Sequence, residues 1–143
     1  MRILGIDYGD VRVGLALSDP IGFIAGGIGT LKITGMNNAV SQVSEVIASH
    51  SVETVVLGLP LNMNGTEGPS ANKIKVFADK LAAACPNITI NFVDERRTSM
   101  LAAEYMSQTG TYGKKRKDSV DTLSAQIILQ TYLDRLKNAS VED

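Results

Sequence analysis

The sequence predicts an α/β fold, a five-stranded mixed sheet with helices on both faces. Three observations predict it. Three strand-like segments follow one another as a meander over the first 33 residues. Helical and strand-like segments then alternate to the end of the chain, which places helices against the sheet. One of the later strands, Thr54-Val55-Val56-Leu57-Gly58-Leu59, is almost continuously apolar, as expected of a strand covered on both faces.

The opening stretch runs Ile3-Leu4-Gly5-Ile6-Asp7-Tyr8, then Gly9-Asp10, then Val11-Arg12-Val13-Gly14-Leu15-Ala16-Leu17-Ser18. Gly-Asp suits a hairpin turn. A two-residue turn would set Tyr8 opposite Val11 and Asp7 opposite Arg12. Side chains alternate along strands, so Gly5, Gly14 and Ala16 share the face of Asp7. That face is nearly bare of bulk around one acid, which is room for a metal and a substrate phosphate.

Asp19-Pro20 marks a break, and Ile21 to Ile33 reads as a third strand interrupted by Gly26, Gly27 and Gly29. Val40, Val43, Val46 and Ile47 form a helical stripe within a helix from about Asn38 to His50. Pro60 ends the apolar fourth strand. Leu61 to Pro69 is a polar loop, and Ser70 is placed to cap a helix from about Ala71 to Ala84 with Ile74, Phe77, Ala78 and Leu81 inward. Pro86-Asn87 breaks that helix, and Ile88, Ile90 and Phe92 alternate as a fifth strand. Thr98 opens another helix ending near Gly110. Gly110 to Lys117 reads as a basic loop, and a last helix runs from about Ser119 to Leu136. The 143 residues suit a single domain over 1–137 with a frayed tail over 138–143.

Composition excludes several classes. A net charge of −1 rules out a wholesale basic coat, so any nucleic-acid contact must be a local patch. Cys85 is the single cysteine, which excludes a disulfide framework and a cysteine metal cluster. His50 is the single histidine, so no histidine cluster offers zinc a home, and its place at a helix end suits the helix dipole. No apolar run approaches the about 18 residues of a membrane span, and the first residues lack a signal-peptide pattern. The expectation is a cytoplasmic protein with no membrane partner.

In open α/β sheets, sites gather at the carboxyl ends of strands. Asp7 stands there on the first strand. Asp94-Glu95 follows the fifth strand directly, and Asp118 and Asp121 stand three apart at the start of the last helix. Acids from three distant segments suit magnesium, which takes oxygen ligands and borrows others from phosphates. Two such ions about 3.5–4 Å apart activate water and stabilise the leaving oxygen of a phosphodiester. Each acid also has a plain structural reading. Asp7 can pair with Arg12 across the strands, Glu95 can face solvent or pair with Arg96, and Asp118 can cap the last helix. The joint placement of Asp7, Glu95 and Asp121 at element ends carries the argument for a site.

Lys114-Lys115-Arg116-Lys117 immediately precedes the third acid. Four cations there would hold a phosphate backbone, and Tyr112 beside them can stack on a base. The amides of Asn62-Met63-Asn64-Gly65-Thr66-Glu67-Gly68 lie near a strand end, either as ligand donors or as a polar connector.

Gly5-Ile6-Asp7-Tyr8-Gly9, Arg12-Val13-Gly14-Leu15-Ala16, Gly58-Leu59-Pro60, Asp94-Glu95-Arg96 with Thr98, and Val120-Asp121 with Ile128-Leu129-Gln130 together resemble the YqgF family. This is a bacterial group of Holliday-junction-resolvase-like proteins, also described as pre-16S rRNA nucleases. The resemblance spans Arg2 to about Leu136. It implies a ribonuclease H-like fold whose second strand is antiparallel to its neighbours. It implies metal-dependent phosphodiester hydrolysis with Mg2+ or Mn2+, two ions with substrate bound, held by Asp7, Glu95 and Asp121. Arg12, Arg96, Lys114, Lys115, Arg116 and Lys117 would contact nucleic acid. Related resolvases usually carry an acid at the end of the fourth strand. Here that strand ends in Gly58-Leu59-Pro60, and Glu95, one strand later, supplies the charge instead.

The leading functional expectation is a nuclease processing the 5′ end of precursor 16S ribosomal RNA. Its partner would be structured RNA in preference to DNA junctions, with the pre-ribosome as a further partner and a monomer or homodimer as the working form. A DNA junction resolvase is the second reading. A non-catalytic nucleic-acid-binding module is the third.

Overall fold

In the computed structural model, β1 (Arg2–Tyr8) and β2 (Arg12–Ser18) form the expected antiparallel hairpin. Residues 2–21, 24–62, 64–95 and 113–142 are described, the last segment with side chains over 120–138. β3 (Ala25–Lys32) pairs antiparallel with β2. β4 (Val52–Leu59) and β5 (Thr89–Asp94) then join parallel, giving the order β3-β2-β1-β4-β5. The helices are α1 (Met36–Ser49), α2 (Pro69–Ala84) and α3 (Gly113–Glu142). The helix expected over residues 98–110 lies outside the described residues.

Side-chain alternation divides the sheet into two faces. Leu4, Ile6, Val13, Leu15, Leu17, Val55 and Leu57 face α1 and α2, whose Val43, Ile47, Ile74, Phe77 and Leu81 complete the larger core. Ile3, Ala16, Val56 and Val93 face α3, meeting Ala125, Ile128, Leu129 and Leu133. Helices thus cover both faces, which is why β4 is apolar almost throughout.

The hairpin register differs from the expected one. Asp7 stands opposite Gly14 and Tyr8 opposite Val13, because the turn sits one residue later than expected, at Asp10-Val11, and closes through Gly9 N donating to Arg12 O at 2.9 Å. A shift of two residues preserves the alternation of faces, so Gly5, Gly14 and Ala16 still lie on the Asp7 side. Their lack of bulk serves a different purpose from the expected one, since α3 occupies the space. A Cβ on Gly5 would come within 2.7 Å of Leu129 Cβ, and one on Gly14 would collide with the Asp121 carbonyl. The glycines bring a helix backbone down onto the sheet.

Two further differences concern helix starts. α2 is capped by Gly68 with Pro69 in its first turn, so Ser70 lies inside the helix instead of capping it; proline's fixed φ suits that position. α3 begins at Gly113, not near Ser119, and continues to Glu142 beyond the end expected near Leu136. The segment from Lys114 to Lys117 is therefore helical backbone rather than loop, and Asp118 lies within the helix instead of capping it. Lysine and arginine are good helix formers, which the loop reading underweighted. Among the described residues, no helix is long and apolar enough to cross a membrane.

Candidate active site

β1, β4 and β5 are mutually parallel, so their carboxyl ends share one edge of the sheet. Asp7 stands near that end of β1. Glu95 follows β5, and its backbone N–H donates to the Leu59 carbonyl at 3.1 Å, fixing the chain as it leaves the strand. Gly58 lies on β4 between them. A Cβ there would reach 2.6 Å from Glu95 Oε2, so the Glu95 carboxylate occupies the space above the glycine. β4 ends without an acid, and the carboxyl above it belongs to the residue that follows β5. On the other side, the close approach of α3 over Gly14 delivers Asp121.

The Asp7 and Glu95 carboxyls lie close enough for each to shift the other's titration. Two carboxyls can bond only by sharing a proton. Burial raises Glu95 first, then the charge of Asp7, the hydrogen bond to Asp7 and the charge of Asp94, to a pKa of about 8. Burial and the charge of Asp121 raise Asp7 to about 6, against the hydrogen bond from Glu95, which lowers it. Both carboxyls are thus pushed toward their protonated forms, Glu95 the more strongly. Glu95 Oε2 is left buried without a hydrogen-bond partner.

Arg12 does not pair with Asp7. Its Nε lies 3.0 Å from Asp121 Oδ2, both side chains being about a quarter exposed. The structure thus brings together Asp7, Glu95, Asp121 and Arg12. Arg96 lies outside the described residues. Lys114, Lys115, Arg116 and Lys117 precede Asp121 on α3, and their side chains lie outside the described ones.

The donor set suits a hard divalent cation: all the donors are carboxylate oxygens, and Asp7 and Glu95 compete for one proton because their negative charges repel in a buried place. The partnerless Oε2 of Glu95 is a further acceptor. Among the described residues no three acids stand already gathered at ligand spacing, consistent with Asp121 being drawn toward Arg12. The loop from Asn62 to Gly68 matches the plain reading. Asn62 N donates to Thr66 O, Gly65 N to Asn62 O, and Thr66 N to Asn64 Oδ1, so its donors serve its own fold.

His50 ends α1, its Nδ1 3.0 Å from the Val46 carbonyl, at the helix end expected of it, and Cys85 ends α2 beside Ser44. The sequence reading missed a cleft of about 250 Å³ next to Glu95, between the hairpin turn and the start of α2, which contains Lys73. Ser70 and Lys73, one turn apart just after a strand-end loop, were the available signal.

A family model described as "RuvX: Holliday junction resolvase" matches residues 1–135. The chain belongs to this family, RuvX, also called YqgF. A RuvX relative from Ruminiclostridium cellulolyticum is 44% identical over 137 residues, covering 95% of this chain and 96% of its own. One from Clostridium botulinum strain Alaska E43 is 42% identical over 136 residues, covering 95% and 98%. Both carry the name "Putative pre-16S rRNA nuclease". Thermus thermophilus RuvC, solved with a Holliday junction substrate, superposes with a TM-score of 0.59 at 14% identity over 95% of this chain and 96% of its own. The fowlpox virus resolvase bound to junction DNA gives 0.58 at 14% identity, covering 95% and 99%. At such identities the likeness concerns the fold, the ribonuclease H-like arrangement expected of the RuvX family.

Proposed function

We propose that the protein is a metal-dependent nuclease that hydrolyses phosphodiester bonds in precursor 16S ribosomal RNA, at its 5′ end, with Asp7, Glu95 and Asp121 as the metal-holding acids. The proton-sharing pair of Asp7 and Glu95, with the Asp121 charge beside it, carries this reading. A pair of buried acids that cannot both ionise is costly in a folded protein, and it becomes useful where a cation takes the place of the shared proton. The names of relatives 42–44% identical over nearly their whole length support RNA as the substrate.

A divalent cation, when bound, supplies the positive charge that activates water and stabilises the departing oxygen. Asp7, near the carboxyl end of β1, and Glu95, above Gly58, would hold it. Arg12 holds Asp121 in place from the side, and its charge is assigned to the backbone of the nucleic acid. Arg96 and the cations from Lys114 to Lys117 are assigned to the backbone of the nucleic acid. Magnesium or manganese fits the oxygen donors, and the cytoplasm fits the substrate.

The test is cleavage of a precursor ribosomal RNA fragment and of a four-way DNA junction, each with and without magnesium or manganese. RNA cleavage that requires metal and disappears in Asp7→Asn supports the reading. Cleavage of the junction alone moves it to a resolvase, the activity in the family's description. Absence of cleavage with RNA binding intact makes the protein a binding module.

A further inference from the structure

The cleft beside Glu95 is bounded by the hairpin turn (Tyr8, Gly9, Asp10), by Pro60 and by Ser70, Lys73 and Ile74 of α2. Its floor is part apolar. Tyr8 stacks on Phe77 with ring centroids 4.5 Å apart, which fixes the ring in place. Its mouth carries a cation, since Lys73 Nζ meets Asp10 Oδ1 at 2.7 Å, with the two side chains 49% and 72% exposed. So exposed an ion pair holds weakly, and a phosphate competes well for the lysine. The volume falls below the about 300–1,000 Å³ typical of complete small-molecule sites. That suits one nucleotide of a longer strand entering beside the acids.

We propose that this cleft is a subsite for the nucleotide adjoining the scissile phosphate, with Lys73 binding that nucleotide's phosphate and Asp10 occupying the lysine until substrate arrives. The proposal rests on the nucleic-acid reading above and adds to it a binding role for α2. Three features converge on it: a cleft with Glu95 in its wall, a cation at the mouth, and a rigid aromatic surface able to take a sugar or base face. Lys73 is a positioning residue, not a member of the acid set.

Binding of a labelled single-stranded RNA 12-mer is measured by anisotropy across a salt series, with calcium as the divalent ion. Lys73→Gln weakens binding about fivefold or more and flattens the log–log salt slope by about 0.7, the share of one phosphate contact on a single strand. Lys73→Arg retains the slope. Asp10→Asn tightens binding, and the gain disappears in the Asp10→Asn/Lys73→Gln double variant, because Asp10 acts through the lysine. Wild-type binding left unchanged by Lys73→Gln overturns the subsite alone. A gain from Asp10→Asn that survives in the double variant overturns the role of Asp10. A wild-type protein that binds no RNA overturns the nucleic-acid reading and the subsite with it.

Discussion

Glu95 fills the space that Gly58 leaves open: a Cβ on Gly58 would stand 2.6 Å from Glu95 Oε2 and 2.5 Å from Ile128 Cδ1. One missing side chain therefore seats both an acid of the candidate site and a core contact of α3. Gly58→Ala is expected to push the Glu95 carboxyl away from Asp7. Overpacking costs about 1–3 kcal/mol, readable by urea denaturation, and metal-dependent cleavage should fall further than stability does. Stability loss with full activity would show that Glu95 need not sit above Gly58 to work.

The Asp7–Glu95 pair makes metal-free stability depend on pH in a definite direction. Both carboxyls bind protons more tightly in the folded chain, at about 6 and about 8, than in the unfolded one, whose ordinary values are 3.8 and 4.5. Where the folded state holds more protons, stability falls as pH rises. The pair's penalty thus grows between about pH 4.5 and 8 and is complete above that window. Glu95→Gln removes one ionising group and keeps the hydrogen bond to Asp7. Thermal unfolding in chelator should find it more stable than wild type at pH 9, by on the order of 2 kcal/mol, with the advantage shrinking toward pH 5. Magnesium should narrow the gap by stabilising wild type. Equal pH profiles would rule out proton sharing at this pair.

Much of this arrangement was legible in the chain because strand alternation is a strong local signal. The parity that puts Gly5, Asp7, Gly14 and Ala16 on one face survives even though the hairpin register is shifted by two residues, since such a shift turns no side chain over. The placing of acids at strand ends was equally legible: Asp7 and Glu95 meet because β1, β4 and β5 are parallel. Three features required the folded molecule. The bare face around Asp7 admits α3, and a single strand's pattern does not reveal what packs on it. Arg12 pairs with Asp121, a choice made between segments 109 residues apart. The start of α3 lies upstream of the apolar pattern because the sequence from Gly113 to Ser119 contains no apolar residue to mark a helical stripe.

Arg12 and Asp121 set the balance between holding substrate and holding metal. With Nε at 3.0 Å from Oδ2, the guanidinium competes with any cation for that carboxylate. Arg12→Gln is expected to tighten divalent-ion binding severalfold, measured by calorimetry with manganese, while weakening RNA binding, measured by anisotropy. It also removes a partly buried pair, at a stability cost of about 1 kcal/mol or less given its exposure. Unchanged manganese affinity would indicate that Asp121 contributes nothing to the cation's site. Unchanged RNA affinity would remove Arg12 from the nucleic-acid surface.

Gly14 and Gly27 both lie beneath α3, and the two should respond unequally to alanine. A Cβ on Gly14 collides with the Asp121 carbonyl and stands 3.1 Å from the Thr122 nitrogen, both backbone atoms of a helix. Neither can turn aside, so the helix itself must lift from the sheet, carrying Asp121 away from Asp7. A Cβ on Gly27 meets the Thr122 Cγ2 methyl at 2.6 Å, and that side chain can rotate by giving up its 2.7 Å hydroxyl bond to Thr30. Gly27→Ala should therefore cost about 1 kcal/mol, the net worth of one hydrogen bond. Gly14→Ala should reach or exceed the about 3 kcal/mol upper range of overpacking. In cleavage assays Gly27→Ala should retain most activity and Gly14→Ala should lose it, even at temperatures where both are folded. Equal losses of stability would mean that α3 rides over the sheet more loosely than these contacts require.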